Sequence, residues 1–386
     1  VSLRASRRPT VAAVMGTRPE IIKLAPVVHE LTGRGARART LLTGQHYDPV
    51  LAGDVVDAFG LTDVAPPPAP VGGLARAEQV AAMISGLAGQ LRELAPDAVL
   101  VQGDTNSASA GAQAAHYLGL PVVHVEAGLR SHDRAMPEEV NRLVIGALAD
   151  LHCAPTPQSA TNLLVAGTDP ATVHVTGNPV VEATLASLER PHRAAAVLRS
   201  VHLSGMPFVL ATVHRPENTD DPVALAALLR ALDLLPAPVL FPAHPRTTAR
   251  IAAAGLVVPR SLRVVEPLDH ATFLALAAQA QLVVSDSGGL QEEVTVLGRP
   301  MVVVRTSTER PESVSAGFCR LARPAGVPAA AAELLDPEHL AALARRPSPY
   351  GDGSASRRIA DLVLELADRR RGPLGAGRTS GVPARA

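Results

Sequence analysis

Apolar and polar residues come in blocks along this chain. Val11–Met15 and Val99–Val101 are short runs without a polar member until a turn ends them, and Val122–Val125 is a third, broken only by His124. Uninterrupted apolar runs of this length read as parallel strands buried on both faces. Between such runs, Gln79–Leu94 places apolar residues at helical spacing and predicts an amphipathic helix. A helix is also predicted from about Glu20 to Leu31, with Pro19 in its first turn, where a missing N–H costs nothing. The rhythm continues through Arg39–Leu42, Leu151–Ala154, a helix from Pro157 to about Ala166, and Val173–Val175. A helix from about Val180 to Ser200 leads onward. The pattern then restarts at Pro207–Val213 and runs through Pro238–Phe241, Leu262–Val265, Leu282–Val284, Met301–Val304 and Phe318–Leu321. Strands alternating with helices predict an α/β protein with parallel sheets covered on both faces.

A chain of 386 residues exceeds what one core usually organises. The restart near residue 207 therefore marks a second domain, with a cleft expected between the two. The expected boundaries are 1–185 for an N-terminal Rossmann-like domain and 186–353 for a C-terminal one. A terminal helix is predicted over 354–368, after the Gly351-Asp352-Gly353 turn, packing back on the first domain. The Arg-, Gly- and Pro-rich residues 369–386 are predicted to be a disordered tail.

Composition removes several functions. Acidic and basic side chains balance at 36 each, so no global field draws the chain to nucleic acid or an anionic membrane. Aromatic residues make up 2% and tryptophan is absent, which argues against base-stacking platforms and aromatic sugar grooves. Cys153 and Cys319 lie in apolar strand-like runs and read as buried free thiols of a reducing compartment. No stretch reads as a membrane span, and no apolar segment follows the basic opening VSLRASRRPT, so a cytoplasmic protein is expected.

The polar residues at the strand ends carry the candidate chemistry. Ligands of open parallel sheets bind where strands end and helices begin. Gly16-Thr17-Arg18-Pro19-Glu20 follows the first strand; Gly16 would let a ligand approach the backbone, Arg18 and the free N–H groups nearby suit a phosphate, and Lys23 lies in the first turns of the same helix. Neither a dinucleotide fingerprint nor a P-loop is present. Asp104, Glu126 and Glu138 lie at the following turns, and carboxylates sharing a pocket push their pKa values apart, so that one can act as acid and another as base. A plainer reading makes Asp104 the cap of a helix starting near Thr105 and Glu138 a favourable first-turn acid. It explains Glu126 less well, since an acid ending a buried VVHV strand needs a partner, for which Arg130 and Arg142 are candidates. In the second half, His214, Arg215 and His244 follow strand ends and lean toward anion recognition. Ser287-Gly288-Gly289 opens a helix directly after a strand and suits a diphosphate, with Glu293 one turn deeper for ribose hydroxyls. The histidine and carboxylate spacings match no metal motif, so no metal site is expected.

Several segments together resemble the non-hydrolysing UDP-N-acetylglucosamine 2-epimerases. They are GTRPEIIKLAP at 16–26, TGQHYD at 43–48, GDTNS at 103–107, HVEAGLRSHDRAMPEEVNR at 124–142, TGNPV at 176–180, HRPEN at 214–218, PAHPRT at 242–247, SDSGGLQEE at 285–293, TERPE at 308–312 and YGDG at 350–353. The resemblance implies two Rossmann-like domains in a GT-B-like fold, reversible C2 epimerisation of UDP-GlcNAc to UDP-ManNAc through 2-acetamidoglucal, and no cofactor. A UDP-sugar is the implied partner, a homodimer the implied assembly, and nucleic acid and membrane are not expected. Asp104, Glu126, Glu138 and His214 resemble the family's catalytic residues. Arg18, Lys23, Arg142, His244, Phe273, Ser287, Gly288, Gly289, Glu293 and Arg310 resemble its substrate-binding set, with Phe273 beside uracil and Glu293 on the ribose. Tyr47-Asp48 after Gln45-His46, the short Gly128–Pro137 segment, and Arg305-Thr306-Ser307 in place of arginine–aspartate–threonine depart from the best-known bacterial pattern. The first two argue against allosteric activation by UDP-GlcNAc and lean toward a modified substrate such as UDP-2,3-diacetamido-2,3-dideoxyglucuronate, and the third bears on substrate choice or rate; a hydrolysing variant and a GT-B glycosyltransferase stay open beside these.

Overall fold

The valine- and alanine-rich runs become strands buried on both faces. The computed structural model describes residues 8–45, 55–190 and 192–371. The chain divides into two units, one ending at Ala183 and resuming at Gly351, the other spanning Thr184–Tyr350. In the first unit, β1 (Thr10–Met15), β2 (Arg37–Leu42), β3 (Val64–Ala65), β4 (Ala98–Gln102), β5 (Val122–Val125), β6 (Leu151–Ala154) and β7 (Val173–Val175) form one sheet. Its order is β3-β2-β1-β4-β5-β6-β7, and neighbours pair in parallel. Odd and even residues of a strand face opposite sides. Val11, Ala13, Leu100 and Val123 therefore pack with Ile21, Leu24, Leu31 and Ile359, while Ala12, Val14, Val99 and Val101 pack with Met83, Leu87 and Leu91. Burial on both sides is the physical reason that these runs lack polar alternation.

The second unit repeats the plan. β8 (Val209–Thr212), β9 (Val239–Pro242), β10 (Leu262–Val265), β11 (Leu282–Ser285), β12 (Met301–Val303) and β13 (Cys319–Leu321) form a parallel sheet in the order β10-β9-β8-β11-β12-β13. Both units are thus Rossmann-like, the paired architecture of the GT-B-like class. In each sheet the strand order reverses beside the first strand, between β1 and β4 and between β8 and β11. Such a reversal parts the adjacent loops and opens a crevice beyond the carboxyl ends of the strands.

Two local expectations change. The helix expected over Val180–Ser200 is two helices, Val180–Leu188 and Ala194–Ser200. A proline stands in the sequence between them, at 191, and a proline cannot donate the helical N–H bond. The terminal helix runs Ala355–Arg371, so Arg369, Arg370 and Arg371, expected in the tail, close its last turn. Positive charge is favourable at that end of a helix. The rest of the expected tail, 372–386, lies outside the described residues. Ile359 and Val363 of this helix join the first unit's core, and Arg34 pairs with Asp361. Cys153 and Cys319 are buried free thiols, one in each unit, and burial pushes both up to about 12. Among the described residues no helix is long and apolar enough to cross a membrane.

Candidate active site

In the first unit the turns after β1, β4 and β5 meet at the reversal point. The helix Arg18–Gly33 begins directly after β1, and Glu20 in its first turn folds back. Its Oε2 accepts the N–H groups of Gly16 at 2.9 Å and Thr17 at 2.7 Å, and its Oε1 accepts the Thr105 hydroxyl at 2.6 Å. Thr105 in turn caps the helix Asn106–Tyr117 by accepting the Ala108 N–H. One fully buried carboxylate therefore ties the turn carrying Arg18 to the turn carrying Asp104, and burial raises that carboxyl to about 7. Sequence reading passed over Glu20, although Thr17-x-x-Glu20 has the spacing of a capping box. Gly16 also has a packing role. A Cβ there would lie 1.9 Å from the Ser107 hydroxyl and 2.1 Å from that of Thr43, so the protein's own packing demands glycine. His46, Tyr47 and Asp48 lie outside the described residues.

Asp104 is held from the side by the helix Pro137–Leu148. Arg142, buried, pairs through one guanidinium nitrogen with Asp104 and through the other with Glu139 at 2.8 Å. Asn141 donates to the Asp104 carbonyl at 2.9 Å. Burial pushes the Glu139 carboxyl up, but the Ser131 N–H, Arg142 and the Ser131 hydroxyl together hold it below its ordinary value. Asp104 is thus not the helix cap of the plainer reading; Thr105 is, and the Asp104 side chain stays 23% exposed beside its arginine. Glu138 is exposed in the first turn of the Arg142 helix. Under the Gly103–Asp104 turn, the ring Nε2 of buried His124 donates to the Gly103 carbonyl at 2.8 Å, and burial lowers this histidine to about 3, which keeps it neutral.

Glu126 has a different partner from either arginine considered. Its Oε2 meets Lys23 Nζ in a buried ion pair and also accepts from Gln102 Nε2 at 3.0 Å and Asn178 Nδ2 at 3.1 Å. The backbone at Glu126 is left-handed, with φ of 63°. A non-glycine residue there carries strain of about 1–3 kcal/mol, which persists only where surrounding bonds over-determine it. Three donors on one oxygen supply that constraint. Two residues on, Gly128 has φ of 90°, and a Cβ would come within 2.1 Å of the Ser159 carbonyl.

In the second unit the turns after β8 and β11 meet in the same way. Asp286, buried at the end of β11, accepts the backbone N–H of His214 and, at 2.8 Å, that of Arg215; Asn218 Nδ2 donates at 3.1 Å. His214 Nδ1 lies 3.1 Å from its Oδ1. Burial raises the Asp286 carboxyl, but His214 and the Arg215 N–H outweigh it and hold the group below its ordinary value. A carboxylate only accepts, so Nδ1 carries the proton and the other ring nitrogen is left for a ligand. The His214 side chain is 46% exposed, and its ring centroid is 6.2 Å from that of His244. Burial, His214 and Arg246 lower His244, whose Nδ1 accepts the Arg246 N–H to cap the helix Pro245–Ala253.

Ser287, Gly288 and Gly289 form the half-buried turn before the helix Leu290–Leu297. A Cβ at Gly288 would lie 2.9 Å from the Arg310 guanidinium, whereas at Gly289 it would meet nothing within 4 Å. The first glycine is needed for packing and the second leaves open space above a helix start. Arg310 is buried between Glu292, at 2.9 Å, and Glu309, and so buttresses the turn from below. Glu293 pairs with His270 at 2.7 Å, and Phe273 packs half-buried on the helix His270–Gln279. Among the described residues, no group of three or more His, Cys, Asp or Glu could hold a metal.

Similarity to known proteins decides the family. The family described as UDP-N-acetylglucosamine 2-epimerase matches residues 29–364. The chain belongs to that family. The UDP-N-acetylglucosamine 2-epimerase of Methanococcus maripaludis is 33% identical, over 92% of this chain and 98% of that protein. The Bacillus subtilis enzyme of the same name is 37% identical, over 92% and 94%. The crystal structure of Methanocaldococcus jannaschii UDP-GlcNAc 2-epimerase in complex with UDP-GlcNAc and UDP superposes with a TM-score of 0.81 at 31% identity, over 93% of this chain and all of that one.

The epimerase-family residues expected from sequence fall into two groups. The structure brings Lys23, Asp104, Glu126 and Arg142 to the strand ends of the first unit, with Arg18 and Glu138 exposed nearby in sequence. His214, His244, Ser287, Gly288, Gly289 and Glu293 lie at strand ends and helix starts of the second. Glu20, Glu139, Asp286 and His270 were not singled out from sequence, because each acts on another side chain or turn.

Proposed function

We propose that this chain interconverts UDP-GlcNAc and UDP-ManNAc without net hydrolysis. A base removes the C2 proton as UDP leaves C1, giving 2-acetamidoglucal and UDP. A proton returns to the opposite face of C2, and UDP adds back to C1. The C2 hydrogen is poorly acidic, so the departing diphosphate must draw electron density from C1 as the proton leaves. The catalyst needs proton carriers at the sugar and positive or donor groups at the diphosphate.

Asp104 and Glu138 are the proton carriers in this reading, since of the three candidate acids they are the two that reach solvent, Asp104 in part and Glu138 as an exposed residue. Glu126 is the fixed anion, because Lys23, Gln102 and Asn178 all hold its Oε2. Arg142 orients Asp104. Arg18 contributes positive charge. The observation that carries the proposal is the Arg142–Asp104 pairing. An acid at the reversal of a parallel sheet, oriented by a buried arginine and still open to solvent, suits proton transfer rather than structure alone. In the second unit, His214 assists departure of UDP from its exposed nitrogen, His244 stands beside it, and the Ser287–Gly289 turn receives the diphosphate on backbone N–H groups. Glu293 takes the ribose hydroxyls and Phe273 flanks uracil, while Arg310 acts beneath the turn. The relative crystallised with UDP-GlcNAc and UDP supports the ligand class. A homodimer belongs to the same reading and is checked by light scattering.

The test is incubation with UDP-GlcNAc in D₂O, followed by proton NMR. Formation of UDP-ManNAc with deuterium at C2 is the expected result. Accumulation of free ManNAc and UDP would replace epimerisation by hydrolysis. Absence of both product and exchange would overturn the reading for this substrate.

A further inference from the structure

Glu293 and Glu292 are adjacent acids at one helix start, but they are held differently. Glu292 is fully buried against Arg310, whereas Glu293 sits at the rim, its side chain 14% exposed, with Oε1 2.7 Å from His270 Nε2. A carboxylate can only accept, so Nε2 of His270 is the donor. The other ring nitrogen, Nδ1, lies 3.4 Å from the Ser187 hydroxyl. His270 opens a helix whose start is fixed by Asp269, which accepts the Thr272 N–H at 2.9 Å and the Thr272 hydroxyl at 2.7 Å. Thr272 in turn accepts the Arg193 N–H at 3.0 Å. The imidazole is therefore anchored at its base and on both nitrogens, and the carboxylate it holds has one orientation rather than several.

We propose that His270 is a positioning residue that aims Glu293 at the ribose hydroxyls of the nucleotide and so sets the preference for a ribonucleotide. The inference rests on the UDP-binding reading above. A carboxylate held by a fixed donor presents its remaining lone pairs in a set direction, and two vicinal hydroxyls can each donate to it. Losing the donor loosens the orientation of the carboxylate, and the binding gained from the hydroxyls falls as that order is lost. A nucleotide without those hydroxyls has nothing to lose.

Calorimetric titration with UDP and with its 2′,3′-dideoxy analogue tests this. Wild type is expected to prefer UDP. His270→Ala should weaken UDP about tenfold, the scale of one charge-assisted hydrogen bond, and the dideoxy analogue less than about twofold. His270→Gln, whose amide can still donate, should recover most of the preference. Glu293→Gln should lose the preference on its own, and adding His270→Ala to it should change little, because the histidine acts through the carboxylate. An equal loss for both nucleotides in the alanine and glutamine variants would make His270 a mere packing residue and overturn the proposal. So would an unchanged preference in His270→Ala. Wild type that binds neither nucleotide would overturn the UDP-binding reading itself, and this inference with it.

Discussion

The two units share one strand order but arrange opposite charges at its reversal. In the first, the cation of each ion pair at the turns is buried, and at Asp104 the acid is offered. Arg142 and Lys23 lie inside, and Asp104 remains partly open beside its arginine. In the second, the acid is buried and the base is offered. Asp286 lies beneath the turn and gathers backbone N–H groups, while His214 stands out from it half exposed. One scaffold thus offers a carboxylate at one reversal and an imidazole at the other. The difference lies in which member of each pair the turn buries, not in the fold.

Removing the offered acid should have the largest effect. Asp104→Asn keeps the Arg142 contact but cannot take a proton, so turnover should fall about 10³-fold, the range of general acid–base contributions. UDP affinity should stay within about twofold if the acid plays no part in nucleotide binding. Wild-type turnover in this folded variant, measured by C2 deuterium exchange, would erase the contrast between the units. Next comes the buried cation. Lys23→Met strands Glu126 in the interior and should cost roughly 3 kcal/mol in chemical denaturation, as expected when one member of a buried pair is removed. The double variant Lys23→Met with Glu126→Gln should recover much of that loss. If the single variant is neutral, the pair does not anchor the turn.

Glu20 sharpens the comparison from within, since neutral donors hold it. Its folded carboxyl is raised by burial to about 7 from an ordinary 4.5. A group raised on folding gives stability that is fully present below its unfolded value and is lost as pH rises through the folded one. Wild type should therefore lose about 1–3 kcal/mol relative to Glu20→Gln between pH 4.5 and 8. Parallel stability profiles of the two proteins would contradict this. The smallest effect is expected in the second unit. Asp286→Asn leaves backbone contacts in place but removes the anion that orients His214. UDP should bind about five- to tenfold more weakly, read by calorimetry.

Most of the strands could be read from the sequence because burial on both faces leaves an unbroken apolar run, as at Val11–Met15 and Met301–Val303. The acids could be read as site candidates because they end such runs. Their partners could not. Lys23 and Glu126 are separated by 103 residues, and only the placement of β1 near β5 brings them together. Asp104 and Thr105 are both good caps by residue type, and the choice between them depends on Arg142 drawing the aspartate away. Gly16 read as an opening for a ligand, and nothing in the sequence placed Ser107 and Thr43 where a side chain there would strike them. Glu20, by contrast, was legible in the Thr17-x-x-Glu20 spacing and was passed over because its role is to join two turns.

The two cysteines have a practical consequence. Each unit keeps one thiol in its core, and burial suppresses the thiolate that an alkylating reagent needs. Labelling must then wait for the surrounding structure to open. Cys153 reports when the first unit breathes and Cys319 when the second does, so mass spectrometry of a timed alkylation gives this protein two internal clocks with no engineered label.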